Sequence, residues 1–135
     1  MKKVLQMLDP DEAVKFHGHP GPFLAWGYRA AVFAVKKLEP KDHKDMLCTA
    51  VIPLRTPYSC ILDGIQSGSP CTLGKQNLKV VPGNEVMIIF ESSKGRICLK
   101  PALSLEQILR EKDENTAYKA VILKNDDELF IIEEK

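Results

Sequence analysis

His17 and His19 stand one residue apart in Phe16-His17-Gly18-His19-Pro20-Gly21-Pro22. A neutral imidazole is a ligand for borderline metals and an acid or base near neutral pH. Gly18 and Pro20 disfavour regular helix here. In extended backbone, residues two apart share a face, so both rings could face one cavity, without having to bind the same ion. From spacing alone, a functional pair and a hydrogen-bonded structural pair stand as alternatives.

A second group lies further along. Cys60 opens a predicted helix after Pro57-Tyr58-Ser59. The positive helix end there favours the thiolate that a soft or borderline metal needs. Asp63, three residues on, shares its face. A carboxylate there can bind metal, hold a histidine N–H or act as a base, and an exposed helical acid is its structural alternative. Cys71, after Ser69-Pro70, is a candidate ligand, a redox partner of Cys60 or a wall thiol. Lys75 could orient an anionic group. Gly74-Lys75 does not complete a phosphate loop, because Gln76 stands where a hydroxyl residue is required.

His17, His19, Cys60 and Cys71 therefore form a candidate donor set for zinc or a similar divalent metal, with Asp63 and Lys75 as candidate catalytic groups. Three protein ligands leave one position open for water or a small molecule. The metal-free alternative is a Cys60 nucleophile with a histidine base. Two histidines on one loop exceed what that pair needs.

The elements that must position these groups follow from caps and periodicity. Asp9-Pro10-Asp11-Glu12 starts a helix that runs to about Lys15. Pro22 opens a longer one to about Leu38, with Phe23, Leu24, Tyr28, Ala31, Val35 and Leu38 near helical spacing. Leu47–Ile52 is a strand, Ser59–Gln66 a short helix. Leu78–Val81 and Glu85–Glu91, around Pro82-Gly83-Asn84, predict a hairpin, and Arg96–Leu99 a further strand. Ser104-Leu105-Glu106-Gln107 is a capping box that predicts a helix to about Lys112. Thr116–Leu123 fits strand or helix, Asn125-Asp126-Asp127 is a turn, and Leu129–Ile132 a last strand. The order is helix-strand-helix followed by antiparallel strands. The expected fold class is α+β, with helices packed on one sheet.

The chain's 135 residues suit a single domain (1–135), and 44% hydrophobic residues can build a core. A net charge of +1 gives no reason to expect nucleic acid or an acidic membrane as partner. No stretch is long enough to span a membrane. The start, Met1 to Pro10, does not read as a signal peptide, so a cytoplasmic location is expected, with free thiols. Cys48 and Cys98 lie in apolar runs and are expected to be buried structural thiols. No Cys-x-x-Cys occurs.

Three ordered motifs carry a resemblance. They are Phe16-His17-Gly18-His19-x-Gly21-Pro22-Phe23-Leu24-Ala25-x-Gly27-Tyr28-Arg29, Ser59-Cys60-x-x-Asp63-Gly64-Ile65-Gln66 and Cys71-Thr72-x-Gly74-Lys75-x-Asn77. Together they resemble the FmdE/FwdE family of formylmethanofuran dehydrogenase subunits. The resemblance covers residues 10 to 100 and, loosely, the tail at Asp126-Asp127-Glu128-Leu129-Phe130.

It implies a mixed-sheet α+β fold (FwdE/GAPDH-domain-like), a homodimer, and a metal bound through His-Gly-His and Cys60. It implies a helix before Asn125. It also implies a setting related to methanogenesis: the molybdenum or tungsten enzyme that reduces carbon dioxide to a formyl group on methanofuran. The chain departs from the family pattern at Pro20-Gly21-Pro22, where many members carry a cysteine, and at Ser69-Pro70, where Thr-Gly is usual. It ends without the Cys-x-x-Cys zinc domain of longer members, as expected of a short stand-alone relative. An accessory role, delivering metal to or docking on a molybdenum or tungsten enzyme without chemistry of its own, is the second reading.

Overall fold

The computed structural model describes residues 5, 7–102, 105, 108 and 113–134. The first helix, α1 (Pro10–His17), starts where its cap dictates. Asp9 Oδ1 accepts from the Glu12 N–H at 2.8 Å, and Glu12 Oε1 accepts from the Asp9 N–H at 2.9 Å. The helix runs two residues beyond the sequence expectation. It ends at Gly18, whose φ of 112° lets its N–H turn back to the Val14 carbonyl. His17 therefore closes a helix and does not lie in extended backbone.

Helix α2 (Pro22–Leu38) is buried on almost every side, from Phe23 through Leu38. Its apolar residues extend well beyond one stripe, as in a helix that belongs inside, and Val32, Lys36 and Lys37 are its exposed positions. It packs against the sheet, against α3 (Cys60–Gly68) and against α4 (Glu114–Leu123). Its contact with α3 is backbone on backbone. A Cβ on Gly64 would collide with the Leu24 carbonyl and the Tyr28 amide, and one on Gly27 with the Ile61 carbonyl.

Among the described residues, five strands form one mixed sheet: β1 (Leu47–Ile52), β2 (Leu78–Pro82), β3 (Met87–Ser92), β4 (Gly95–Pro101) and β5 (Phe130–Glu134). Their order is β2-β1-β3-β4-β5. Strands β1 and β2 run parallel, joined through α3, as a parallel pair requires a crossover. The other neighbours pair antiparallel. Cys48, Ala50, Ile52, Leu78, Ile88, Phe90, Ile97 and Leu99 form the buried layer shared with α2.

The expected hairpin between β2 and β3 does not form, because β1 lies between them. Val80 pairs with Ala50 on one edge of β1, and Ile88 pairs with the same Ala50 on the other. The Gly83 N–H donates to the Ile52 carbonyl, which ties the turn to the end of β1. The Pro-Gly-Asn signal reports the turn and not the partner. The β3–β4 hairpin forms, with Ser92 opposite Gly95.

The tail is helical where the resemblance implied, in α4. The Asn125-Asp126-Asp127 turn extends into a short helix, α5 (Asp126–Leu129), and the last strand starts one residue later than expected. Arg29 ties the tail to the body. Its guanidinium donates to the Ile122 carbonyl at 2.9 Å and to Asp126 Oδ1 at 2.9 Å. The indole of Trp26 donates to the Leu129 carbonyl at 3.0 Å. The helix predicted from Ser104 to Lys112 lies outside the described residues, apart from Leu105 and Ile108.

Candidate functional site

The end of α1 meets the start of α3. His17 Nδ1 lies 2.6 Å from Asp63 Oδ2, and the His17 side chain is only 8% exposed. An ionised carboxylate only accepts, so Nδ1 carries the proton, and in the neutral ring Nε2 presents its lone pair. His17 Nε2 is buried and has no hydrogen-bond partner among the described residues. Buried polar atoms are almost always satisfied, and an orphan at a candidate site calls for a partner.

His19 stands beside it. The two rings are 4.7 Å apart between centroids and tilted by 40°. The pair meets across the turn at Gly18, not on one face of an extended segment. His19 is half exposed, with Nδ1 3.3 Å from Glu114 Oε2 at the start of α4.

Cys60 begins α3 and is half-buried. Burial pushes its thiol up, and the nearby charges of Asp63 and Glu114 add to the shift. The helix end, which by itself favours the thiolate, acts in the opposite sense. Cys60 thus shares its surroundings with Asp63 and Glu114.

Cys71 and Lys75 sit elsewhere. Cys71 is fully buried within the core cluster. Burial pushes its thiol up to about 11, against the opposing effects of Ser69 and Lys75. Its thiol neighbour is Cys48, whose own pKa burial pushes well above the usual thiol range. Lys75 is exposed in the turn after Cys71, where its backbone N–H donates to Thr72 Oγ1. Cys48 and Cys98 are buried, in keeping with their apolar runs.

Among the described residues, no three His, Cys, Asp or Glu side chains are grouped as a ready-made metal cage. The donor chemistry nevertheless fits an ion. His17 has a carboxylate behind Nδ1 and, among the described residues, an unsatisfied Nε2, the arrangement of a carboxylate-oriented metal ligand. Glu114 is the neighbour that the sequence does not announce. It follows Asp113, the cap of α4, and no spacing rule links a tail helix to a loop near the start of the chain.

A cleft of about 570 Å³ is lined by Phe23, Trp26, Tyr58, Ile61 and Lys100 among others. Tyr58 and Ile61 flank Cys60 along the chain, and Tyr58 meets Phe23 edge-on at 5.2 Å.

The family described as "FmdE, Molybdenum formylmethanofuran dehydrogenase operon" matches residues 16–130, which include the two histidines, Cys60, Asp63 and Glu114. The chain belongs to the FmdE family. A "Probable S-adenosyl-L-methionine-binding protein" of Archaeoglobus fulgidus is 36% identical over 67 residues. That stretch is 49% of this chain and 18% of the relative, so the chain matches less than a fifth of that protein's length. As an FmdE-family domain, the chain is related to formylmethanofuran dehydrogenase. None of its described helices is long and apolar enough to cross a membrane.

Proposed function

We propose that this FmdE-family domain binds a divalent transition metal, zinc or a similar ion, at an open site. His17 Nε2 and Cys60 would hold the ion, with His19 beside them. The observation that carries the reading is the buried Nε2, without a partner among the described residues, of a histidine whose other nitrogen is bonded to Asp63. Once bound, the ion would supply a Lewis acid or lower the pKa of a coordinated water. The chain's own contribution is orientation. Asp63 would set the His17 tautomer, and α3 carries Cys60 on the same first turn as the Asp63 that reaches the end of α1. A cation beside Cys60 would also reverse the charge balance that now favours the thiol.

The setting we propose is a homodimer in the cytoplasm, acting within or beside a molybdenum or tungsten enzyme of the formylmethanofuran dehydrogenase type. Family membership supports that setting. A metal-delivery or docking role without catalysis would use the same site. The burial that raises the pKa of Cys60 gives the metal-free cysteine catalyst no support.

Metal analysis of the purified protein tests the reading. Wild type should carry close to one ion per chain, and His17→Ala and Cys60→Ala should each lose most of it. Equal metal content in all three proteins would sink the idea.

A further inference from the structure

Glu114 occupies a position that the fold does not need it to hold. The N-terminus of α4 is capped by its neighbour: Asp113 Oδ1 accepts from the Asn115 N–H at 3.0 Å, and Asp113 Oδ2 from the Thr116 hydroxyl at 2.7 Å. The helix is anchored by buried Ala117 and Val121, and its last turn by Arg29. None of these contacts uses the Glu114 side chain. That side chain stands instead 3.3 Å from His19 Nδ1.

The arrangement is a looser counterpart of the one behind His17, an exposed ion-pair contact at 3.3 Å where His17 has a hydrogen bond at 2.6 Å. Each of two adjacent rings has a carboxylate oxygen at Nδ1, Asp63 from α3 for His17 and Glu114 from α4 for His19. A carboxylate at Nδ1 selects the tautomer whose Nε2 is free to bind a cation. Two elements from distant parts of the chain thus place a carboxylate beside each of the two neighbouring imidazoles.

We propose that Glu114 is a positioning residue for His19, and that it makes the tail helix α4 part of the metal site. The inference rests on the metal reading given above. It adds a residue to the site and a consequence that reading does not contain. If Glu114 aids cation binding through His19, cation binding must tighten the docking of α4 to the same degree, because coupling between two events is reciprocal.

The test uses Co²⁺ as the probe, with the full chain. Affinity is measured by chelator competition, coordination by the visible absorption of the bound ion, and helix docking by hydrogen exchange over residues 114–117. Wild type should bind Co²⁺, and binding should slow exchange at the start of α4. Glu114→Ala should weaken Co²⁺ about tenfold or more, shift the absorption bands and abolish the change in exchange. Its metal-free melting temperature should stay close to wild type, since Asp113 still caps the helix. Glu114→Gln, which keeps an acceptor for the Nδ1 proton, should recover part of the affinity. A role limited to the charge at the helix end would leave Gln no better than Ala, and that result would overturn the proposal. Unchanged affinity and spectrum in Glu114→Ala, alongside weakened binding in Asp63→Asn, would overturn it while leaving the metal reading standing. Failure of wild type to bind Co²⁺ would overturn both.

Discussion

The His17 imidazole and the Asp63 carboxylate are 2.6 Å apart, and this contact joins the last turn of α1 to the first turn of α3. It leaves Nε2, the other nitrogen of a buried ring, without a partner among the described residues. Asp63 itself is 37% exposed, so its own charge is partly solvated without the histidine. The contact therefore matters more for how the ring is held than for global stability.

Asp63→Asn separates those two roles. The amide can still accept a hydrogen bond but supplies no charge. Metal affinity should fall by about 10- to 100-fold, as it does when a ligand histidine loses its carboxylate. The urea midpoint of the metal-free protein should move little. Chelator competition and a denaturation curve on the same sample check both. A large stability loss with unchanged affinity would mean that the pair is structural.

The α2–α3 packing sets the position of both Cys60 and Asp63. Gly64→Ala places a methyl group against the Leu24 carbonyl and the Tyr28 amide, which are backbone and cannot swing aside. The helices must separate. We expect a loss of about 1–3 kcal/mol from overpacking, together with weaker metal binding because α3 carries two of the site's groups. Chemical denaturation and metal titration should change together. Wild-type stability in this variant would show that the two helices are not in backbone contact.

Which of these features are legible in the sequence follows from what each signal encodes. Asp9 and Glu12 encode a helix start through their own hydrogen bonds, so the start of α1 can be read directly. Cys60 and Asp63 lie on one helix, so their shared face follows from helical spacing. The pairing of β2 is not legible. Ala50 bonds to strands on both sides, and nothing local at Pro82-Gly83-Asn84 states which edge of β1 the next strand will take. For the Cys60 thiol the helix end and Asp63 are visible in the sequence, whereas its burial, the largest cause of its raised pKa, and the approach of Glu114 are not. The motifs suggest one cluster, but Cys71 turns into the core beside Cys48.

That burial of Cys71 has a consequence at alkaline pH. Its folded-state pKa, raised to about 11, lies above the value of an unfolded thiol, about 8.5. Below pH 8 both states keep the proton and the thiol has no effect on the pH dependence of stability. Above about 8.5 the unfolded chain releases the proton first, so stability falls as pH rises, until the folded pKa is reached. Cys48 acts in the same direction. Urea midpoints at pH 7.5 and 10 should show the loss. Cys71→Ala removes one ionisable group and should flatten the slope. An identical slope in the variant would mean that Cys71 is not held as a buried thiol.

Gly18 controls how the two histidines meet. Its φ of 112° is a conformation that side chains rarely adopt, and a Cβ there would meet nothing within 4 Å. The cost of Gly18→Ala is therefore conformational and not steric. It should be about 1–3 kcal/mol if the turn is kept. The chain can avoid that cost by rearranging the turn, which would carry His19 away from His17 and end their 4.7 Å ring contact. Either route is measurable. A retained turn predicts lower stability with Co²⁺ affinity and spectrum preserved, whereas a rearranged turn predicts the reverse. Wild-type stability together with wild-type metal binding would show that the left-handed turn at Gly18 is not what brings the two imidazoles together.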